Sequence, residues 1–177
     1  MSKVLERLLA FHSSPAICGI KASNLICIDY EESIYKEIEE LNSQYPKLCF
    51  KVLKNNGSKV LILVYRKKVF ESSLSNLEII HYLDSIGYNT SSIESMLDDL
   101  KNRLNNEDFP HEIGVFLGYD LDDIKSFIEG EECIYVGYWK VYSKLNEKLE
   151  IFDKYTRCRN CVINLIDKGF PIESFMR

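Results

Sequence analysis

Two short stretches of this chain carry side chains whose types and spacing can do chemistry. The first is His111-Glu112, which opens the segment HEIGVFLGYDLDDIKSFI running to Ile128. An imidazole beside a carboxylate can act as an acid–base pair or as two metal ligands. The second is Cys158-Arg159-Asn160-Cys161, a CxxC whose thiols can chelate a metal or form a redox pair. Each also has a bland reading. Pro110 suits a first helical position because its missing N–H would be unpaired there, so Glu112 can simply cap that turn. The positive end of the helix dipole then favours a neutral His111. Capping needs only local geometry, whereas catalysis needs partners from elsewhere in the chain. The HExxH zinc pattern is absent, because Val115 stands where the second His belongs.

The cysteine pair falls in the middle of a long helical pattern, not at a helix start after a strand as thioredoxin-type chemistry requires. A structural zinc needs a second pair of similar spacing, which Cys18 and Cys27 do not provide. Cys158 also continues an apolar face between Tyr155 and Val162, so small buried hydrophobe is the simpler role. A third candidate is the aromatic run Tyr135 to Tyr142, where Trp139, Lys140 and Tyr142 could stack on a planar ligand or a partner, or serve as ordinary core. Lys21 closes a loop of small residues from Ser14 and offers an ammonium that could stabilise an anion. With Tyr119, these residues make a candidate ligand site: Lys21, His111, Glu112, Tyr119, Trp139, Lys140 and Tyr142. Cys158 and Cys161 remain the candidate metal or redox pair.

The elements that must position them follow from hydrophobic spacing. Residues 3–12 are predicted as a helix, stopped by Ser13-Ser14-Pro15. Leu25 to Ile28 is a short strand. Asp29 with Glu32 predicts a capped helix that buries Ile34, Ile38 and Leu41 and ends at Pro46. Leu48 to Lys54 alternates as a strand, Asn55-Asn56-Gly57-Ser58 is a hairpin turn, and Val60 to Tyr65 returns. Arg66-Lys67-Lys68 is expected to form a solvated edge. A helical pattern carrying Leu74, Leu77 and Leu83 stops at Gly87, and Ser91 with Glu94 caps the next helix. The loop 105–108 delivers the chain to His111. The spacing there predicts two short helices, the second capped by Asp120 with Asp123 at its third position and ended by Gly130; a strand with Ile113, Val115 and Leu117 on one face is the alternative. A long helix from about Asn146 to Lys168 closes the chain, with Leu149, Phe152, Tyr155, Val162 and Leu165 along its apolar side.

Composition narrows the function classes. The 177 residues are 46% hydrophobic, enough for one sizeable core, and a single domain over 1–177 is expected. A net charge of −5 argues against a protein held to nucleic acid by phosphate contacts. No stretch reads as a membrane span, and the first residues, MSKVLERLLAFH, lack a signal-peptide core, so a cytoplasmic protein is expected. Six cysteines in such a chain are expected to be reduced thiols.

Four segments together resemble a family of uncharacterised bacterial proteins of the Firmicutes, classed as a domain of unknown function. They are Pro15 with Gly19-Ile20-Lys21, then His111-Glu112-Ile113-Gly114-Val115-Phe116-Leu117-Gly118-Tyr119, then Gly137-Tyr138-Trp139-Lys140-Val141-Tyr142, and finally Lys154-Tyr155-Thr156-Arg157-Cys158. The family pattern carries proline at the place of Asp120 and often a cysteine at the place of Ser13, so the resemblance implies no thiol chemistry through that position here. It implies a unit spanning nearly the whole chain and no particular activity.

The fold expected is therefore α+β: a small, mainly antiparallel sheet of three or more strands, flanked by five to seven helices, with a long C-terminal helix. The function expected is a non-catalytic ligand- or protein-binding module, with its site around the His111–Tyr119 turn and Trp139. The alternatives are a small enzyme with His111 as base, Glu112 as its orienting partner and Lys21 as anion stabiliser, or a metal, haem or redox protein using His111, Glu112 and the Cys158/Cys161 pair. Cofactor, partner identity and oligomeric state do not follow from the residues.

Overall fold

The computed structural model describes residues 1–106 and 109–177; Glu107 and Asp108, from the loop before His111, lie outside the described residues. A three-stranded antiparallel sheet forms the middle layer, from β1 (Ser23–Asp29), β2 (Leu48–Asn55) and β3 (Lys59–Arg66), in the order β1-β3-β2. The central strand β3 is the most apolar, as a strand covered on both faces must be.

Alternation along these strands divides the core in two. Ile26, Ile28, Phe50, Val60, Ile62 and Val64 face one layer of helices. That layer is α1 (Lys3–Ile17), α2 (Ser33–Gln44), the long α8 (Leu145–Asp167) and a closing 3-10 turn (Ile172–Phe175). Leu53, Leu63 and Tyr65 face the other layer. Its helices are α3 (Lys67–Leu74), α4 (Leu77–Ser85), α5 (Ile93–Leu104), α6 (Ile113–Phe116) and α7 (Leu121–Glu129). A bulge between Val52 and Lys54 sets Leu53 and Lys54 on this second face together, where Lys54 donates to the Leu104 carbonyl at the end of α5. A small hairpin, β4 (Tyr135–Val136) with β5 (Lys140–Val141), joins α7 to α8. The described residues thus hold eight α-helices, more than the five to seven expected. None of them is long and apolar enough to cross a membrane.

Several local expectations are corrected. α1 does not stop at Ser13-Ser14-Pro15 but runs through Pro15 to Ile17. The Ala16 N–H donates to Asn24 Oδ1 at 3.2 Å, and burying Ala16 and Ile17 against the sheet outweighs the bond that proline removes. Asp29 caps nothing: it pairs with Lys59 across the strands, and α2 starts at Ser33 without a side-chain cap. Arg66 is no solvated edge residue. Its register opposite Leu48 aims it at the first face, where Nε donates to the Ile17 carbonyl and Nη2 to that of Phe175, both at 2.6 Å. Asn76 caps α4 and so breaks the expected 74–87 helix into two. Ser92, not Ser91, caps α5. On α8 it is Lys148 that is buried, whereas Leu149 is exposed.

Candidate functional site

The residues chosen on chemical grounds come from three distant segments, and two small contacts bring those segments together. The Ser23 hydroxyl, at the start of β1, donates to the Phe116 carbonyl of α6 at 2.7 Å. Gly118 follows with φ +71°, and a Cβ there would lie 2.7 Å from that of Ala22. Only glycine provides both the left-handed backbone and the close approach. The α6–α7 turn therefore lies flat on Lys21-Ala22-Ser23. Lys21 Nζ comes within 5.1 Å of the Tyr119 ring centroid. Tyr119 stacks on Trp139, with centroids 4.8 Å apart and planes 21° apart.

Two further contacts fix Trp139. Phe152 of α8 meets it edge-on at 4.5 Å, and its Nε1–H donates to Asp123 Oδ2 at 2.8 Å. Phe152 fits because residue 137 is glycine: a Cβ at Gly137 would lie 2.2 Å from that ring. Asp123 does not complete a cap box on α7, as its spacing predicted. Its other oxygen accepts the N–H groups of Tyr142 and Ser143 and so ties the chain after β5 to α7, while Asp120 does cap α7, accepting from the Asp122 N–H. Lys148 reaches from α8 into the same place, paired with Asp120 and 3.6 Å from Asp123 Oδ2. Burial raises the Asp120 carboxyl, but the hydrogen bond and charge of Lys148 outweigh it, so the group rests below its ordinary range.

Beside this scaffold a cavity of about 310 Å³ opens between α6, α7 and the hairpin. Its walls are mostly apolar, among them Ile113, Leu117, Ile124, Phe127, Tyr119 and Trp139. His111 and Lys140 are its exposed polar lining residues. His111 stands edge-on to Phe127 at 5.0 Å, and Lys140 Nζ lies 5.0 Å from the centroid of the same ring. Four of the seven candidates, His111, Tyr119, Trp139 and Lys140, thus line one pocket.

The other three do not line it. Glu112 is buried; its carboxylate accepts from the Tyr88 hydroxyl at 3.0 Å and pairs with Arg103 at 3.1 Å. It makes no cap, and it is committed to α5 and the loop before it rather than to His111. Burial, with Glu112 adding to it, pushes the Tyr88 phenol well up. Tyr142 is half-buried and engages Asp123 through its backbone. Lys21 is buried behind Tyr119, with Nζ donating to the Ser23 carbonyl at 2.6 Å. Burial brings its amine down to about 7.

The cysteine pair is not the thiol pair that interacts most. Cys161 is exposed, whereas half-buried Cys158 faces Cys18, the C-cap of α1. A hydrogen bond from Cys158 brings the Cys18 thiol down to about 7 against its burial, with the Arg66 guanidinium helping, and the same bond pushes Cys158 up. Among the described residues no three His, Cys, Asp or Glu side chains are grouped to hold a metal ion.

Sequence reasoning missed buried Asp123 and Lys148, with half-buried Asp120, as one cluster. A carboxylate inside the α7 stripe beside Ile124, and a lysine one turn before Phe152 on the same helix, were the available signals. Kinship is visible over the length of the chain: a family model described as "Protein of unknown function (DUF3793)" matches residues 9–176. The chain belongs to the DUF3793 family. No curated protein and no solved structure matches it. The DUF3793 match runs from within α1 through the closing 3-10 turn, and so takes in both the Lys21 segment and the aromatic pocket.

Proposed function

We propose that this DUF3793 protein is a non-catalytic ligand-binding module. Its pocket would take a planar, largely apolar small molecule that carries an acidic group. The observation that carries this reading is the cavity walled by Trp139, Tyr119 and Phe127, with Lys140 and His111 as its exposed polar lining. Small-molecule sites have this character: apolar and aromatic walls with a few polar groups that fix orientation. Its volume sits at the lower end of the usual range, roughly 300–1,000 Å³, which favours a ligand of one or two rings. Lys140 makes no ion pair among the described residues, so its charge is available to a ligand carboxylate. The acid–base alternative is less well supported, because Glu112 is engaged by Arg103 and Tyr88.

Trp139 is the only tryptophan, so its emission reports on this pocket directly. Titration with 2-naphthoate is expected to change that emission saturably, and Lys140→Glu to weaken binding about tenfold, or about 1.4 kcal/mol. Neutral 2-naphthol is expected to bind both forms alike. Emission unchanged by both probes up to millimolar concentration would reject the reading.

A further inference from the structure

A second cavity, shallow and wide open to solvent, of about 460 Å³, shares no lining residue with the Trp139 pocket. Lys21 and Tyr155 supply buried parts of its lining, and Lys68 and Ser72 of α3 supply exposed parts. Lys21 has 3% of its surface exposed, yet among the described residues no ion pair includes it. Its one hydrogen bond, to the Ser23 carbonyl, can be made by a neutral amine as well as by an ammonium. The Tyr119 ring lies against it, and Tyr155 and Lys68 are the other titratable residues of the cavity lining. None of them is an anion near neutral pH; burial holds the phenol of Tyr155 protonated, up to about 12. A lysine without a counter-charge in such a place is in substantial part neutral near pH 7, the form in which amines attack carbonyl carbon.

We propose that this cavity captures a small carbonyl compound bearing an anionic group, such as a 2-oxo acid, as an imine on Lys21. Lys68, with the Ser72 and Ser73 hydroxyls, holds the anionic end. The Nζ lone pair attacks the carbonyl carbon and the C=O electron pair moves to oxygen, which takes a proton from the Tyr155 phenol. Nζ gives up one proton to the phenolate, leaving a carbinolamine. Loss of its hydroxyl as water, with the second Nζ proton, yields the C=N bond. No oxidant or reductant takes part.

The test is imine trapping with glyoxylate and cyanoborohydride on the full chain, read by peptide mass mapping. At pH 7 the exposed lysines are almost wholly protonated. Lys21 is therefore expected to carry the carboxymethyl adduct at least about tenfold faster than any other lysine, with a rate that reaches half its maximum near pH 7. Lys68→Ala is expected to raise the glyoxylate concentration for half-maximal labelling about fivefold. The same variant should leave labelling by neutral formaldehyde unchanged. Adducts spread over the exposed lysines with Lys21 unmodified would overturn the proposal. So would an equal response of the two probes to the Lys68 change.

Discussion

Lys148 and Lys21 are buried to the same extent, each with 3% of its surface exposed, and both adjoin the Tyr119–Trp139 stack, Lys21 through the Tyr119 ring and Lys148 through Asp123, which holds Trp139. Lys148 meets two carboxylates, those of Asp120 and Asp123. Lys21 meets a backbone carbonyl and the Tyr119 ring. Equal burial thus produces two unlike groups: one is a strut that joins α7 to α8, the other an amine partly relieved of its charge near neutral pH. The difference teaches that depth alone does not decide what a buried lysine does. The decision lies with whatever anions the fold brings alongside it.

The largest expected effect tests the strut. Lys148→Met leaves Asp123, 1% exposed at its side chain, without its cation, and is expected to cost about 3–5 kcal/mol in urea unfolding. A loss under about 1 kcal/mol would erase the contrast. Lys21→Met should behave oppositely. The folded-state pKa of Lys21 is lowered, so its contribution to stability falls as pH drops from the unfolded value near 10.4 to about 7, and is level below that. Replacing it removes this penalty. The variant's stability relative to wild type is expected to be more favourable at pH 6 than at pH 10 by about 4 kcal/mol. A pH-independent difference would show that Lys21 stays charged. The smallest effect belongs to Asp120, which is partly exposed. Asp120→Asn should cost about 1 kcal/mol near neutral pH. Its carboxyl is held low, so its contribution is complete above the unfolded carboxylate pKa and disappears as acid protonates it through the lowered one. The variant's deficit should therefore shrink at low pH, as thermal melts across pH 2–5 would record.

Much of the architecture was legible in the residues, and for a common reason. The β2–β3 hairpin is announced by alternation around Asn56-Gly57, where the Asn56 side chain accepts from the Ser58 and Lys59 N–H groups and Gly57 takes φ +87°. The two short helices after His111, the Asp120 cap and the Gly130 stop are likewise matters of local geometry. What was missed depends on residues far away in sequence. Pro15 stands inside α1 because Asn24 and the sheet supply what the helix lacks. Arg66, Glu112 and Lys148 look like surface residues until Phe175, Arg103 and Asp120 are known to be beside them. Among the candidate residues, spacing identified the chemical types but not their company. His111 and Glu112 adjoin in sequence and point to different neighbours, while Tyr119 and Trp139 lie far apart and touch.

The two layers of helices also differ in when they can be completed. The layer of α3 to α7 follows β3 directly in sequence, so each helix can pack on its face of the sheet as it leaves the ribosome. The opposite layer is assembled from α1 and α2 near one end of the chain and α8 near the other. Until Leu145–Asp167 is made, that side of the sheet has only α1 and α2 to cover Ile26, Phe50 and Ile62. Nascent chains halted before α8 would thus present a partly uncovered apolar face, the kind of surface that holdase chaperones bind and that drives premature aggregation.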